Sequence, residues 1–474
     1  MTGLAEPLTL EIALGVIAEL QALVAQQATT IATQARRIAA LEERLRKDSS
    51  NSSKPPSSDG PGKKKYPPRK PSGRKRGGQP GHTKHERTLL PVEAARSVTD
   101  VKPPVCADCG TSLTGDDPCP TRHQIVDLPP IEPLLDEWRL HALPCHACGE
   151  TTVAELPEGV ASLGYGPGVD AMVGQLAGEM RSSKRSTAET MTQVFGVPMS
   201  VGAVIDAQVR VSAALATPCA EAVTYAQAQP IKNADESPWK QGPIAGYLWV
   251  CVTACVTVFM IQASRAEAAA RALLGKVRGV LGTDRYSAYS WWPMAWRQAC
   301  WSHLIRDFHA IAQRGGSSLV LGEALGAEAE RMFAWWTRLK AGELKRATFQ
   351  AYMRPLRRRV EGLLWEGRTN TDEKTAGTCR KMWDLREAFW TFVRIEGVEP
   401  TNNAAEQALR FGVVWRKMCY GTKSKAGSEF VARILTTHAT LRQQGRTMYA
   451  FLRAACQAHR TGVTPPSLVP PSVN

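Results

Sequence analysis

The stretch that decides the fold runs from residue 231 to residue 262 and reads IKNADESPWKQGPIAGYLWVCVTACVTVFMIQ. Its apolar parts, Tyr247–Thr253 and Val256–Gln262, are rich in Val and Thr, which predicts two buried strands. A transmembrane helix is the alternative for this uncharged segment, but the proline and glycines near its start disfavour a single span. Another strand is expected through 233–239, and it carries Asp235.

Strands alternate with helices further along the chain. A helix is predicted over Ala266–Val277, and the next strand, Val280–Tyr286, contains Asp284. Asp235 and Asp284 are therefore expected at the ends of neighbouring apolar strands. An α/β sheet places its ligand-binding groups at such positions.

A third acid, Glu406, lies just after two asparagines. If Asn403 caps a helix, Glu406 is a capping-box residue, and an ion pair with Arg410 is a second structural explanation. The functional alternative groups Glu406 with Asp235 and Asp284. Three convergent carboxylates repel one another unless they bind cations, and Mg2+ prefers such oxygen ligands. Two strand-end aspartates and a helical glutamate are the arrangement of ribonuclease-H-like polynucleotidyl transferases.

The N-terminal region predicts a dimerising helix. Apolar residues recur there at every seventh position, which favours a parallel two-stranded coiled coil. An amphipathic helix folded back on its own protein is the alternative. The repeating residues are Leu10, Ile17, Val24, Ile31, Ile38 and Leu45.

A basic linker follows the helix. Residues 61–90 hold +9 of the formal net charge of +15 that the 474-residue chain carries. Residues 47–81 have almost no apolar residues, so this stretch is expected to be a flexible linker. Its cations suit sequence-independent binding to phosphates, with a solubilising tether as the alternative. The cations are Lys63, Lys64, Lys65, Arg69, Lys70, Arg74, Lys75 and Arg76.

Two CxxC pairs come next, and each is followed by a glycine that permits a tight turn. Four thiolates from two such turns suit one structural Zn2+ in a zinc ribbon, while a redox pair is the alternative. Four protein ligands leave no open position for catalysis there. The ligands are Cys106, Cys109, Cys145 and Cys148, with Cys119, His123 and His141 as spare donors.

Two helical regions complete the pattern. Ser186–Phe195 and Ser200–Val211 resemble a helix-turn-helix, although an ordinary packed pair of helices fits equally well. Leu319–Trp390 is helical in pattern and rich in Trp, which predicts a helical insertion with its Trp in a core. Cys300 and His303 supply only two donors, so we expect a structural or DNA-orienting role for them.

Basic residues after the third acid could line a DNA path, with a solvated basic face as the alternative. They are Arg410, Arg416 and Lys417, followed by Lys423 and Lys425.

Taken together, these segments resemble the insertion sequence 66 family of bacterial DDE transposases over essentially the whole chain. Each motif is weak alone, whereas their order is specific. The matching stretches are KDSSNSSKPPSSDG (47–60), the CxxC pairs, ADESPW (234–239), GTDRYSAY (282–289), CWSHLIRDF (300–308) and NNAAEQALR (402–410).

The resemblance implies that Asp235, Asp284 and Glu406 are the DDE triad. It further implies a leucine-zipper-like helix, a zinc-binding domain and Mg2+-dependent DNA strand transfer, for which we expect two catalytic ions. Ser237 and Trp239 depart from the commoner Thr and Val of family members, but the acids match.

We therefore predict a DNA transposase that cleaves element ends and joins the 3′ hydroxyl to target DNA. A metal-dependent nuclease without strand transfer and a zinc-containing DNA-binding regulator with an inactive core are the alternatives. Partners are double-stranded DNA, a second copy through the coiled coil and accessory proteins of the same element. No signal peptide is recognisable, so a cytoplasmic, nucleoid-associated protein without a membrane anchor is expected.

The predicted fold is a multidomain α/β protein with a ribonuclease-H-like catalytic core. The segments are a coiled-coil helix (1–47), a basic linker (48–95), a zinc ribbon (96–160), a helix-turn-helix-like region (161–229), the catalytic core (230–440, with a helical insertion at about 310–395) and a C-terminal helix and tail (441–474).

Overall fold

The computed structural model describes residues 10–46, 87–158, 160 and 164–470. The eight predicted phosphate-binding cations of the linker lie outside these residues. The chain divides into two units, Tyr66–Leu134 and the remainder. Each unit is described by itself below.

Helix α1 runs unbroken over Leu10–Arg46, as the seven-residue repeat predicts. Ile17, Val24, Ile31 and Ile38 are between 50% and 64% exposed. This open stripe favours pairing with another helix over folding back on the same chain, and the coiled coil itself stays a prediction.

The first CxxC pair forms a tight turn within Tyr66–Leu134. The Gly110 N–H donates to the Cys106 carbonyl at 3.0 Å, and Gly110 has a φ of 74°. That left-handed conformation suits glycine, as the sequence pattern requires. Elsewhere in this unit, Leu90 and Gln124 exchange two hydrogen bonds of 2.9 Å.

The second CxxC pair repeats this turn in the other unit, between two short antiparallel strands, β1 (Ala142–Pro144) and β2 (Thr151–Val153). The Gly149 N–H donates to the Cys145 carbonyl at 2.9 Å, and Gly149 has a φ of 78°. Both turns thus have the local geometry that a zinc knuckle needs, while the shared zinc site stays a prediction.

Four helices lie between the second CxxC pair and the main sheet. The α3–α4 pair matches the expected helix pair, and the Ser200 hydroxyl caps α4 by accepting from the Ala203 N–H at 3.1 Å. The outer side of α4 exposes Val201, Ile205 and Val209 rather than cations, which favours packed helices over a DNA-reading helix. The bounds are α2 Pro167–Ala177, α3 Lys184–Gln193, α4 Val201–Ala214 and α5 Ala216–Ala228.

A five-stranded mixed sheet follows, in the order β5-β4-β3-β6-β7. The strands β3, β4 and β5 pair antiparallel as a meander, whereas β6 and β7 run parallel to β3. The uncharged run forms the two buried strands predicted for it. The bounds are β3 Ile231–Gln241, β4 Ile244–Val252, β5 Thr257–Gln262, β6 Val280–Thr283 and β7 Arg297–Ala299, with α6 Glu267–Leu274 between β5 and β6.

In chain order, the helical insertion comes after the sheet and before the last three helices. It has a hydrophobic core of its own. Trp301 and Trp390 are fully buried and in edge-to-face contact at 5.1 Å, as a core role predicts, whereas Trp365 is 51% exposed. The bounds are α7 Trp301–Ala312, α8 Gly316–Lys340, α9 Arg346–Gly367, α10 Glu373–Asp384 and α11 Thr391–Arg394.

Three helices close the fold: α12 Asn403–Cys419, α13 Lys425–Gln443 and α14 Met448–Thr461. Helix α13 lies against the edge strand β5, where the Thr436 hydroxyl accepts from the Phe259 N–H at 2.9 Å. Side chains of α13 therefore satisfy backbone groups that an edge strand otherwise exposes. None of the described helices is long and apolar enough to cross a membrane.

Candidate active site

The register between β3 and β6 brings the two aspartates side by side. Ile231 pairs with Val280, and Asn233 pairs with Gly282. If the same offset is continued two residues beyond the Asn233–Gly282 pair, Asp235 lies beside Asp284. Asp284 follows the last residue of β6, as predicted. Asp235 instead lies within β3, so the prediction that it ends its strand is wrong; pairing with β4 carries β3 on to Gln241.

Alternation along β3 sends Asp235 and Glu236 to opposite faces of the sheet. The Glu236 carboxylate is buried, and it accepts from Arg265 at 2.7 Å and from the Tyr289 hydroxyl at 2.5 Å. Asp235 is only partly buried and accepts from the backbone N–H of Glu236 at 2.9 Å. The two adjacent acids therefore differ in surroundings. Burial raises the pKa of Glu236, but Arg265 and Tyr289 act as its partners within the fold, whereas Asp235 has a backbone N–H as its hydrogen-bond donor.

Helix α12 brings Glu406 to the same face. Its N-cap is Asn402 without a side-chain capping bond, so Glu406 is not in the capping-box position and that explanation is wrong. The Asn402 side chain instead donates to the Ala234 carbonyl at 2.9 Å, next to Asp235. This bond fixes the start of α12 against β3.

Gly412 allows α12 to lie close on the sheet. A Cβ at this position would come within 2.4 Å of the Leu248 side chain on β4. The Arg416 guanidinium, one turn later, donates to the Ser237 hydroxyl at 3.2 Å and to the Pro238 carbonyl. Helix α12 is thus held along its length on the Asp235 face.

The three carboxylates affect one another electrostatically. Burial, together with the nearby charges of Glu236, Asp284 and Glu406, raises the pKa of Asp235 to about 8. Burial likewise raises the pKa of Asp284 and of Glu406. An acid whose negative form is this unfavourable gains from a bound cation.

Helix α7 supplies the positive side of the site. Glu406 Oε1 lies 3.5 Å from His303 Nδ1 and 3.9 Å from Arg306, rather than within ion-pair distance of Arg410. Burial and the charges of Arg306 and Arg285 lower the pKa of His303 to about 4, so its imidazole is neutral at physiological pH. The expected Glu406–Arg410 ion pair is therefore replaced by contacts to α7.

Several supporting residues were missed by sequence reasoning. Arg285, next to Asp284, is hydrogen-bonded to Asp307 of α7, and Arg265 stacks over the Tyr286 ring at 3.9 Å. Arg285 lies in the motif that carries Asp284, which was the one sequence signal for it, whereas Arg265 lies in none of the quoted motifs. Pattern alone gives no role to an arginine whose partner is far along the chain.

The predicted DNA-contacting residues of α12 divide into two kinds. Arg410 and Lys417 are exposed, whereas Arg416 is partly buried and uses donors within the fold. Just beyond α12, Tyr420 is 83% exposed and has a φ of 59°. An exposed aromatic ring beside exposed cations suits contact with nucleic acid.

The cysteine turns also favour thiolates locally. A side-chain hydrogen bond with Thr111 is the largest effect that lowers the pKa of Cys109, to about 7. Backbone hydrogen bonds from Cys148 and Ala147 lower the pKa of Cys145. Thiolates are the form that binds Zn2+.

Comparison with known proteins gives a family for the chain. The family model described as Transposase IS66 family matches residues 185–430, just over half of the chain, and covers all three acids. A second model, described as a family of unknown function (DUF6444), matches residues 5–88. No curated protein matches the chain.

Proposed function

Because the chain belongs to the IS66 family of transposases, we propose that it cleaves the ends of its insertion sequence and joins the freed 3′ hydroxyls to target DNA. The observation that carries the proposal is that Asp235, Asp284 and Glu406 lie near enough for the charges of the other two acids to raise the pKa of Asp235. The order and directions of β3–β7 support a ribonuclease-H-like core.

The donor set of the proposed site suits Mg2+, since all three side chains offer oxygen and two come from adjacent strands. The buried Glu406 Oε1 has no hydrogen-bond partner among the described residues, so it is free to bind an ion. Divalent cations held by these carboxylates would lower the pKa of water and stabilise charge on the phosphate oxygens. A pair of Mg2+ ions is the proposed occupant.

The chain's own residues hold this arrangement in place. Asn402 and Gly412 set α12 against the sheet, which fixes Glu406 relative to Asp235. Arg306 approaches Glu406 from α7 and orients its carboxylate by attraction. Arg410, Lys417 and the exposed cations near Tyr420 would bind DNA phosphates, an interaction that weakens with salt.

The other parts of the chain would assemble the enzyme on DNA. We propose that α1 pairs with α1 of a second copy, which brings two element ends together. The four CxxC cysteines would hold one structural Zn2+, and the linker cations would add sequence-independent affinity. Accessory proteins of the element would join this complex.

The test is strand cleavage on labelled DNA that carries the element ends, with Mg2+ or with EDTA. We expect Mg2+-dependent nicks with 3′ hydroxyl ends for the wild type and none for Asp235→Asn. Asp206→Asn, an exposed acid on α4, is the matched control and should cut like wild type.

Adding target DNA separates the alternatives. Joined products support strand transfer, whereas cleavage without joining supports a nuclease. DNA binding without cleavage, even with the neighbouring gene products present, would contradict the proposal and support a regulator with an inactive core.

A further inference from the structure

Three donors of different chemistry meet where α7 and α12 begin. Cys300 immediately precedes α7, His303 lies in its first turn and Glu406 lies in the first turn of α12. One sulfur, one imidazole nitrogen and one carboxylate oxygen of these residues lie within 4.8 Å of one another. Sequence reasoning saw only the first two, because the third comes from a distant segment.

Two atoms of this cluster lack the partners that buried polar atoms require. His303 Nδ1 and Glu406 Oε1 are both buried and have no hydrogen-bond partner among the described residues. They lie 3.5 Å apart, which is too long for a good hydrogen bond. Buried polar atoms are nearly always satisfied, and a single cation bound between these two atoms would satisfy both.

The donor set selects the kind of cation. Mg2+ and Ca2+ take oxygen ligands, whereas sulfur with imidazole and one carboxylate suits Zn2+. Cys300 is placed for this role, because its sulfur accepts from the Asn402 N–H at 3.2 Å and lies at the N-terminus of α7. Burial raises the pKa of the Cys300 thiol, and both features act against that rise.

We propose that Cys300, His303 and Glu406 form a second Zn2+ site, separate from the four CxxC cysteines. Zinc binding at this site needs only these three side chains. Its consequence rests on the proposed function: zinc that takes Glu406 removes a ligand from the Mg2+ site and inhibits cleavage.

The binding test counts zinc per full-length chain by elemental mass spectrometry after equilibration with Zn2+ and gel filtration. Cys300→Ser and His303→Gln should each retain one zinc fewer than wild type. Cys379→Ser, a buried thiol on α10 outside the cluster, is the matched control and should retain the wild-type number. Equal zinc in wild type and in folded Cys300→Ser and His303→Gln would overturn the proposal.

The functional arm measures cleavage at fixed Mg2+ while Zn2+ is raised. The wild type should lose activity at a zinc concentration at least about tenfold lower than His303→Gln does, since losing even a hydrogen-bond partner of a metal ligand weakens binding about tenfold or more. Equal inhibition would overturn the sharing of Glu406. If no cleavage occurs, the proposed function fails, and the zinc count still decides the binding site.

Discussion

Two aspartates of this molecule, the fully buried Asp170 and the partly buried Asp235, have opposite surroundings. In the helical region, Asp170 of α2 accepts from Arg210 of α4 at 2.7 Å and from Arg460 of α14 at 2.5 Å. In the sheet, Asp235 has carboxylates as its near neighbours, and its pKa is raised to about 8. The comparison shows that Asp170 is neutralised from within the chain and stabilises the fold. The sheet aspartate has the surroundings of a group that binds a cation from outside.

The largest expected effect comes from replacing Asp170, the carboxylate that Arg210 and Arg460 share. Asp170→Asn leaves two partly buried guanidinium groups without their shared anion, so the free energy of unfolding should fall by about 3–5 kcal/mol. Urea unfolding followed by tryptophan fluorescence measures it. Asp206→Asn on the exposed side of α4 is the control, and a loss below about 1 kcal/mol for Asp170→Asn would contradict the interpretation.

The next largest change in stability is expected for Glu236, the other acid that has hydrogen-bond partners within the fold. Glu236→Gln leaves Arg265 without its charge partner next to the buried sheet, and we expect a loss of about 1–3 kcal/mol. Thermal unfolding in EDTA measures the change. Glu267→Gln, which removes an exposed ion pair with Arg271, should cost less than about 0.5 kcal/mol. Equal effects would mean that the burial of Glu236 has no energetic consequence.

Replacing Asp235, the neighbour of Glu236 in the sequence, by its amide should change the free energy of unfolding in the opposite direction. With a pKa of about 8, folded Asp235 must take up a proton at neutral pH that the unfolded chain does not hold. Asp235→Asn avoids this cost, so without metal it should stabilise the fold by about 1–3 kcal/mol. The same thermal unfolding in EDTA measures it. Destabilisation by this amide would show that Asp235 is held by contacts rather than strained by charge.

The pH dependence follows from the same pKa. The folded-state pKa of Asp235, about 8, lies above that of an unfolded aspartate, about 3.9, so the folded state binds more protons. Stability contributed by this group is therefore present below pH about 4 and is lost as the pH rises towards 8. The difference in unfolding free energy between Asp235→Asn and wild type should grow over that window and become constant above it.

The smallest expected effect is stabilisation by Mg2+. At ten times its dissociation constant, Mg2+ should raise the unfolding free energy of the wild type by about 1.4 kcal/mol. Thermal shift with and without Mg2+ measures this change. Asp235→Asn and Glu406→Gln should respond much less, whereas Asp170→Asn should keep the full response if it folds. A wild-type-sized shift in Glu406→Gln would place the ion elsewhere.

Local pattern predicted four of the five strands because their signals are strong, and it missed only the three-residue β7. An uncharged run of Val and Thr forms β4 and β5, and two apolar strands of matching register bring Asp235 and Asp284 together. Glu406 is different, because the same local sequence is compatible with a helix-capping role and with a metal-ligand role. Its position depends on the bond between Asn402 and Ala234, a contact across the fold that pattern does not contain.

The supporting cations were beyond prediction for the same reason. Arg306 has the spacing of any residue on an amphipathic helix, and its role comes only from the place where α7 meets α12. Cys300 and His303 were visible as a pair, but their common neighbour was not. Long-range contacts decide roles that local composition leaves open.

The helical insertion has a consequence for the timing of synthesis. Asp235 and Asp284 leave the ribosome first, and 121 residues, most of them in a separately packed helical body, must follow before Glu406 emerges. A nascent or prematurely terminated chain therefore contains two of the three proposed ligands and should be unable to cut. The cell that translates such a gene is exposed to cleavage only by chains completed past the insertion.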